Sequence, residues 1–293
     1  MADYFSRETR WASLKIGLAA YLILFLLLLY GPTLVMTILS FQAPNAGPTF
    51  PIHEWSLAWY RRLFDPGVSI ESTGEYMGRL GPPAWRSLAL ALMTAAISTT
   101  FGTMAAQAFR TRFPGSSIVF NIYLLGIVIP GIALGLGHAL FWQYFEIEKH
   151  WFSTALFVHV IWTFPFCFVI LLAVLNRFDR SIEQAAMCLG ATPWQTFWRV
   201  TLPIIRPGVM ASVLFAFTLS FDEFARTFLV NGAENTIPLE VLGATTVRVT
   251  PRLYAMGVVI TAISLVVIVI MVYLLTVDVR RMRYSGQEEH ATT

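Results

Sequence analysis

The stretch that decides the fold is Ser181-Ile-Glu-Gln-Ala-Ala-Met-Cys-Leu-Gly190, followed by Ala-Thr-Pro-Trp-Gln-Thr-Phe-Trp-Arg-Val-Thr-Leu-Pro203. It lies between two long apolar runs and is itself soluble in character, so it must leave the hydrocarbon. Its punctuation predicts two short helices. Ser181 is an N-cap residue with Gln184 three positions on, the spacing of a capping box. Gly190 falls where a helix end takes a left-handed residue. Thr192, Pro193 and Gln195 are a cap, a first-turn proline and a second capping-box partner. Val200-Thr-Leu-Pro203 is expected to stop the second helix. A glycine-bent helix pair held at a membrane face is a shape for docking on another protein.

Working outward, 56% of the 293 residues are hydrophobic and only 13% charged. This is the composition of an integral membrane protein. A spanning helix needs about 20 apolar residues. Six stretches qualify, at 14–41, 84–109, 118–142, 151–175, 208–230 and 253–277. The first is too long for a signal-peptide core and lacks a small-residue cleavage site, so it is read as a retained span. The fold class expected is an all-α integral membrane protein with six transmembrane helices. The domains expected are a polar arm at 1–13, a transmembrane domain at 14–277 carrying a cytoplasmic loop at 177–207, and a tail at 278–293.

Charge fixes the orientation. With the N-terminus inside, the inner segments carry Arg7, Arg10, Lys15, Arg110, Arg112, Arg177, Arg180, Arg199, Arg206, Arg280, Arg281 and Arg283. The outer segments carry Arg61, Arg62, Arg79, Lys149, Arg248 and Arg252. Twelve against six places both termini, and the 181–203 loop, in the cytoplasm. The net charge of +3 then reflects topology and gives no reason to expect a nucleic-acid partner. Cys167 and Cys188 are separated, and no metal-binding or catalytic spacing is present, so neither a metal nor a cofactor is expected. A glycine-rich phosphate loop is also absent from the sequence.

Several features remain. Trp55 to Phe64 has helical periodicity and reads as a short element in the outer interface. Residues 65–83 are punctuated by glycine and proline and read as loop. Pro130-Gly131, Gly135 and Gly137 in the third span, and Pro165 in the fourth, mark a kink or a close approach, serving either gating or packing. His138 and His159 read as interhelical hydrogen-bonders. Asp222, Glu223 and Arg226 fall in the fifth span, and a charge there costs about 2.5–3.5 kcal/mol unless it faces protein or water. Either acid is spaced to pair with Arg226 on one helix face. The group is either a charge cluster that holds helices together or part of a solute path.

Gln184-Ala185-Ala186, Gly190, Val200 and Leu202-Pro203 stand at the spacing of the EAA loop, and the chain resembles the permease subunits of binding-protein-dependent ABC importers. The family's glutamate falls on Gln184, with Glu183 before it, so this chain replaces that charge with an amide. Arg86-Ser-Leu and Gly102-Thr-Met-Ala-Ala extend the similarity. Ser220-Phe-Asp-Glu-Phe, Asn231-Gly232 and Thr236-Ile-Pro238-Leu239 resemble the spermidine/putrescine branch. The resemblance implies a type I ABC importer permease (MetI-like) fold in a bacterial inner membrane. It also implies that ATP is hydrolysed by another chain, and that this subunit is not an enzyme. Expected partners are a second permease in a heterodimer, two ATPase subunits, a periplasmic or extracellular solute-binding protein, a polyamine or related small amine or organic solute, and lipid. Coupling falls on Glu183, Gln184, Ala185, Ala186, Gly190, Leu202 and Pro203, and the solute path on Asp222, Glu223 and Arg226. The alternative is a secondary transporter driven by an ion gradient, which would need an ionisable relay through the midplane.

Overall fold

A computed structural model describes residues 2–44, 51–52, 54–64, 80–111, 113–247 and 251–291. Most of the outer loop read at 65–83 lies outside the described residues, as do Arg79, Arg112 and Arg248. The described residues are helical almost throughout, and the β-pairing among them is an isolated bridge between Gln42 and Trp55.

The chain divides into two compact units. The first comprises residues 1–77 and 244–260. It holds α1 (Ala2–Leu39), α2 (Ala58–Phe64) and the start of α12 (Pro251–Ala291). The outer-interface element read from the sequence is helical only from Ala58. It is tied to the end of α1 by side chains. Trp59 Nε1 donates to the Gln42 carbonyl at 2.8 Å, Tyr60 and Ser40 share a hydroxyl hydrogen bond at 2.5 Å, and Phe41 packs on Tyr60 with ring centroids 5.3 Å apart. The Arg62 guanidinium lies over the Trp59 ring.

The second unit comprises residues 78–243 and 261–293. Its centre is three mutually packed helices, α3 (Gly81–Ala108), α6 (Leu156–Arg177) and α9 (Leu202–Phe221). Lipid tails supply no hydrophobic drive, so close packing and interhelical hydrogen bonds hold such helices. Two glycines show how close the approach is. A Cβ on Gly102 would lie 2.9 Å from Cys167 Cβ, and one on Gly208 would lie 2.6 Å from Val174 Cγ2. Between the helices, Ser98 and Thr163 share a 2.6 Å hydrogen bond, and Thr99 reaches Ser212 at 3.4 Å.

Among the described residues, five helices are long and apolar enough to cross a membrane. The third stretch read from the sequence is instead two helices, α4 (Ser116–Val128) and α5 (Gly131–Tyr144), bent by 104°. Pro130 explains the break. It has no N–H to give, and it pushes the preceding Ile129 out of helical geometry, to φ −63° and ψ 127°. The second span starts at Gly81, so Gly81-Pro82-Pro83 opens a helix and does not belong to a loop; proline suits that first turn. His138 hydrogen-bonds the Leu134 carbonyl of its own helix at 2.8 Å and meets α6 through a ring contact with Phe157, whereas His159 hydrogen-bonds between helices as expected.

Candidate coupling loop and buried ion pair

The 181–203 stretch forms α7 (Arg180–Cys188), a bend, and α8 (Pro193–Thr196). The first cap is not Ser181. Asp179 occupies that place and its carboxylate accepts from the Ser181 N–H at 2.9 Å. Both residue types cap well; Asp179 has the extended backbone a cap needs, so the helix begins one residue before Ser181. At the other end Gly190 has φ +91°. Its N–H bonds the Met187 carbonyl at 3.0 Å and the Ala191 N–H bonds the Ala186 carbonyl at 3.1 Å, which is a Schellman closure. Thr192 and Gln195 form the reciprocal capping box, with Pro193 in the first turn.

Leu202-Pro203 does not stop the second helix. A π-helical turn, Phe197–Thr201, follows α8 and runs directly into α9, so 193–221 is one continuous helical stretch. The wider turn absorbs the missing Pro203 N–H, and the register shift turns Thr201 fully inward.

The two faces of the loop differ sharply. Outward it presents Leu189 at 90% exposure, Trp194 at 70%, and Trp198 and Ile182, both exposed. Gln184, Ala185, Gly190 and Pro203 are exposed beside them, with Ala186 and Leu202 half-buried. Glu183 points the other way. Its carboxylate accepts from Arg110 Nη1 at 2.7 and 2.8 Å and from the Thr201 hydroxyl at 2.5 Å. The Arg110 guanidinium also lies 5.3 Å from the Phe178 ring centre, and Arg180 donates to the Arg110 carbonyl.

The second candidate group lies just past α9. The sequence placed Asp222, Glu223 and Arg226 on a helix; in the structure α9 ends at Phe221, and Asp222 begins an irregular segment before α10 (Thr227–Val230). Glu223 and Arg226 do pair, Nη1 to Oε2 at 2.6 Å, and the Arg226 N–H donates to Oε1 at 3.0 Å. Asp222 is left exposed. The guanidinium is sealed on both sides. Trp162 of α6 covers one, with its ring centre 3.6 Å away. Gly131, the first residue of α5, covers the other; a Cβ there would lie 2.8 Å from Arg226 Nη2. Next to this pair, His159 contacts Ser220 at 2.7 Å through Nδ1 and Thr227 at 2.8 Å through Nε2. Thr227 spends its one hydroxyl proton on the Glu223 carbonyl. It therefore accepts from His159 Nε2–H, while Nδ1 faces the Ser220 hydroxyl.

The sequence of residues 98–284 matches the family described as the binding-protein-dependent transport system inner membrane component. The chain belongs to this family. It is a multi-pass permease subunit of a bacterial ABC importer, resident in the cytoplasmic membrane, and it is not an enzyme; in this family the ATPase is a separate subunit. Among curated relatives, the putrescine transport system permease protein PotI of Escherichia coli K12 is 30% identical over 241 residues, covering 78% of this chain and 80% of that one. The spermidine/putrescine transport system permease protein PotC of Haemophilus influenzae is 27% identical, covering 83% and 90%. Among solved structures, a bacterial ABC transporter involved in import of the acidic polysaccharide alginate shares the fold, with a TM-score of 0.64 at 17% identity over 92% of this chain and 96% of that one. The MetNI methionine ABC transporter gives 0.57 at 16% identity, over 69% and 95%.

Sequence reasoning placed Glu183 in the permease's loop but missed Arg110 and Thr201, which lie 73 and 18 residues from it. Trp162, Gly131 and His159 were likewise not joined to Arg226 and its neighbours. Burial pushes the Glu183 carboxyl up, but the hydrogen bonds from Arg110 and Thr201, with the charges of Arg110 and Arg180, outweigh it and hold it below its ordinary 4.5. A depressed native value means that the ionised group stabilises the loop above about pH 4.5, and that this contribution is lost as pH falls through the native value. Asp179 is lowered too, by the Ser181 N–H. Proteolysis of the 179–203 loop in the purified permease is therefore expected to be flat from about pH 7 to 5 and to accelerate at more acid pH. Glu183→Gln should cleave faster at neutral pH and show a smaller acid step; a full-sized step in that variant would contradict the assignment to Glu183.

Proposed function

We propose that this permease forms half of the translocation path of an importer for small organic amines, and that the 181–203 loop couples it to separate ATPase subunits. The observation that carries the coupling reading is the outward face of the loop. Leu189 and Trp194 flank the Gly190 bend and are exposed at 90% and 70%, more than a lone loop gains from showing to water. Small Ala185 and Ala186 let a cleft close around α7, and Gln184 offers it hydrogen bonds without charge. Leu202 and Pro203 lie where the loop feeds into α9. ATP-driven closure of the ATPase pair would draw two such loops together and switch the spans between inward and outward states.

The amine reading rests on two supports. Relatives at 27–30% identity carry putrescine and spermidine/putrescine in their names. In addition, Asp222 is an exposed acid beside a cation, Arg226, whose charge Glu223 already offsets at 2.6 Å. An unpaired arginine in the path would repel an ammonium; this one is paired and buried. The assembly we infer has a second permease as a heterodimer partner, two ATPase subunits and a solute-binding protein. Six spans, counting the bent α4–α5 pair as one, would run between cytoplasmic termini, with 1–13 and 278–293 as arm and tail around the 14–277 domain. The lysine and arginine distribution supports that orientation.

The test uses the whole transporter, tagged on this permease. The wild type is expected to retain the ATPase through purification, and Leu189→Glu with Trp194→Glu to reduce retention about tenfold or more, as the loss of a central apolar anchor does. Labelled putrescine should enter proteoliposomes only with ATP inside. Uptake driven by an imposed ion gradient without the ATPase would overturn the importer mechanism, and undiminished retention would overturn the docking surface.

A further inference from the structure

We propose that Arg110, Glu183 and Thr201 form an internal tie that makes the docking loop move as one body with the cytoplasmic ends of α3 and α9, so that Arg110 is a positioning residue for energy coupling. This rests on the coupling reading above and names the route by which the loop's motion leaves it.

Apart from Glu183 and the Arg180 contact with the Arg110 carbonyl, little anchors α7. No residue of α7 is fully buried, so it has no apolar peg of its own in the helical core. A rigid body must nonetheless pass force on through contacts that resist displacement. Glu183 supplies them. The adjacent Gln184 is exposed, but the Glu183 side chain is 15% exposed and takes three hydrogen bonds from two elements. Its charge is spent inside the permease and is not offered to a partner. Arg110, two residues past the end of α3, has a side chain only 7% exposed and is oriented by Gln107 of α3 at 3.2 Å and by the Phe178 ring at the end of α6. Thr201 is wholly buried, turned inward by the π-helical turn that opens into α9. One carboxylate therefore connects the loop with α3 and α9, the two helices that pack on each other and on α6 at the centre of this unit. Charge-assisted hydrogen bonds of this kind are short and directional, so they transmit displacement in a way that an exposed ion pair does not.

The experiment measures three quantities on the reconstituted transporter: ATPase retained, ATP hydrolysed and solute taken up. Arg110→Met is expected to retain the ATPase at wild-type level while uptake per ATP falls about fivefold or more, the range of a typical coupling energy. The exchange Arg110→Glu with Glu183→Arg restores the pair, and should recover more than half of the lost uptake per ATP. Thr201→Val removes one hydroxyl without touching charge, and is expected to lower the same ratio about twofold; it decides the matter if Arg110→Met is not made and inserted in the membrane. Unchanged uptake per ATP in both Arg110→Met and Thr201→Val would overturn the tie, as would an exchange no better than the single variant. Loss of ATPase retention in Arg110→Met would also overturn it, because Arg110 would then serve docking. Failure of the wild type to retain the ATPase would instead count against the docking surface.

Discussion

Arg226→Met is expected to destabilise the permease by about 3–5 kcal/mol, the usual cost of removing one partner of a buried ion pair. Deleting the guanidinium leaves the Glu223 carboxylate, one-tenth exposed, without the Nη1 contact at 2.6 Å. A desolvated charge with no counter-charge is the expensive outcome; loss of the attraction is the smaller part. The cation–π contact with Trp162 goes as well, and methionine is thinner than the planar group that fills the space between that ring and Gly131. Two further variants separate these effects. Glu223→Gln with Arg226→Met removes both charges and should recover most of the loss. Arg226→Lys keeps a charge but loses the planar stack, and should cost about 1–2 kcal/mol. Thermal melting in detergent checks the series. An Arg226→Met protein that melts with the wild type would mean that the pair is not buried as described.

This group and the 181–203 loop were legible in the sequence to different depths, and the reason is range. Thr192, Pro193, Gln195 and Gly190 act on neighbours within five residues, and each took the conformation its chemistry demands. Where two local solutions compete, pattern alone picked the wrong one. Asp179 and Ser181 both cap well, and the backbone at 179 decided between them. Pro203 reads as a stop until the preceding π-helical turn absorbs its missing donor. Pro130 was read as a kink or a close approach, and the stretch does bend there, by 104°, with Ile129 extended.

The partners of contacts across the fold were not legible. Nothing local links Arg110 to Glu183, or Trp162 to Arg226, because membrane helices bring distant segments together by packing and not by pattern. The charge of the fifth span was visible as a cost that had to be met. The structure shows how it is met: the helix ends at Phe221 first, freeing the backbone to turn Glu223 and Arg226 towards each other. A helix held through 226 would have offered two acids to one base at fixed spacing; ending it selects Glu223 and leaves Asp222 exposed.

Gly190→Val is expected to lower uptake about tenfold while the permease is still made and inserted. Space is not the obstacle, since nothing lies within 4 Å of a Cβ at that position. The obstacle is the backbone. At φ +91° an ordinary side chain costs about 1–2 kcal/mol, and a β-branched one more. Valine relieves that strain only by opening the Schellman closure, which frees the Met187 and Ala186 carbonyls and swings α8 away from α7. Leu189 and Trp194 then no longer form one surface, so ATPase retention and uptake fall together, in contrast to the tie variants that spare retention. Gly190→Asn, which tolerates the left-handed region, should keep most activity, and Gly190→Ala should fall between. Gly115 supplies the control. It has φ +84°, also with open space around it, at the turn before α4 and outside the docking loop. Gly115→Val should strain the backbone similarly and leave ATPase retention intact. If Gly115→Val and Gly190→Val lost retention alike, the loss would report general strain, and the bend at Gly190 would have no special part in coupling.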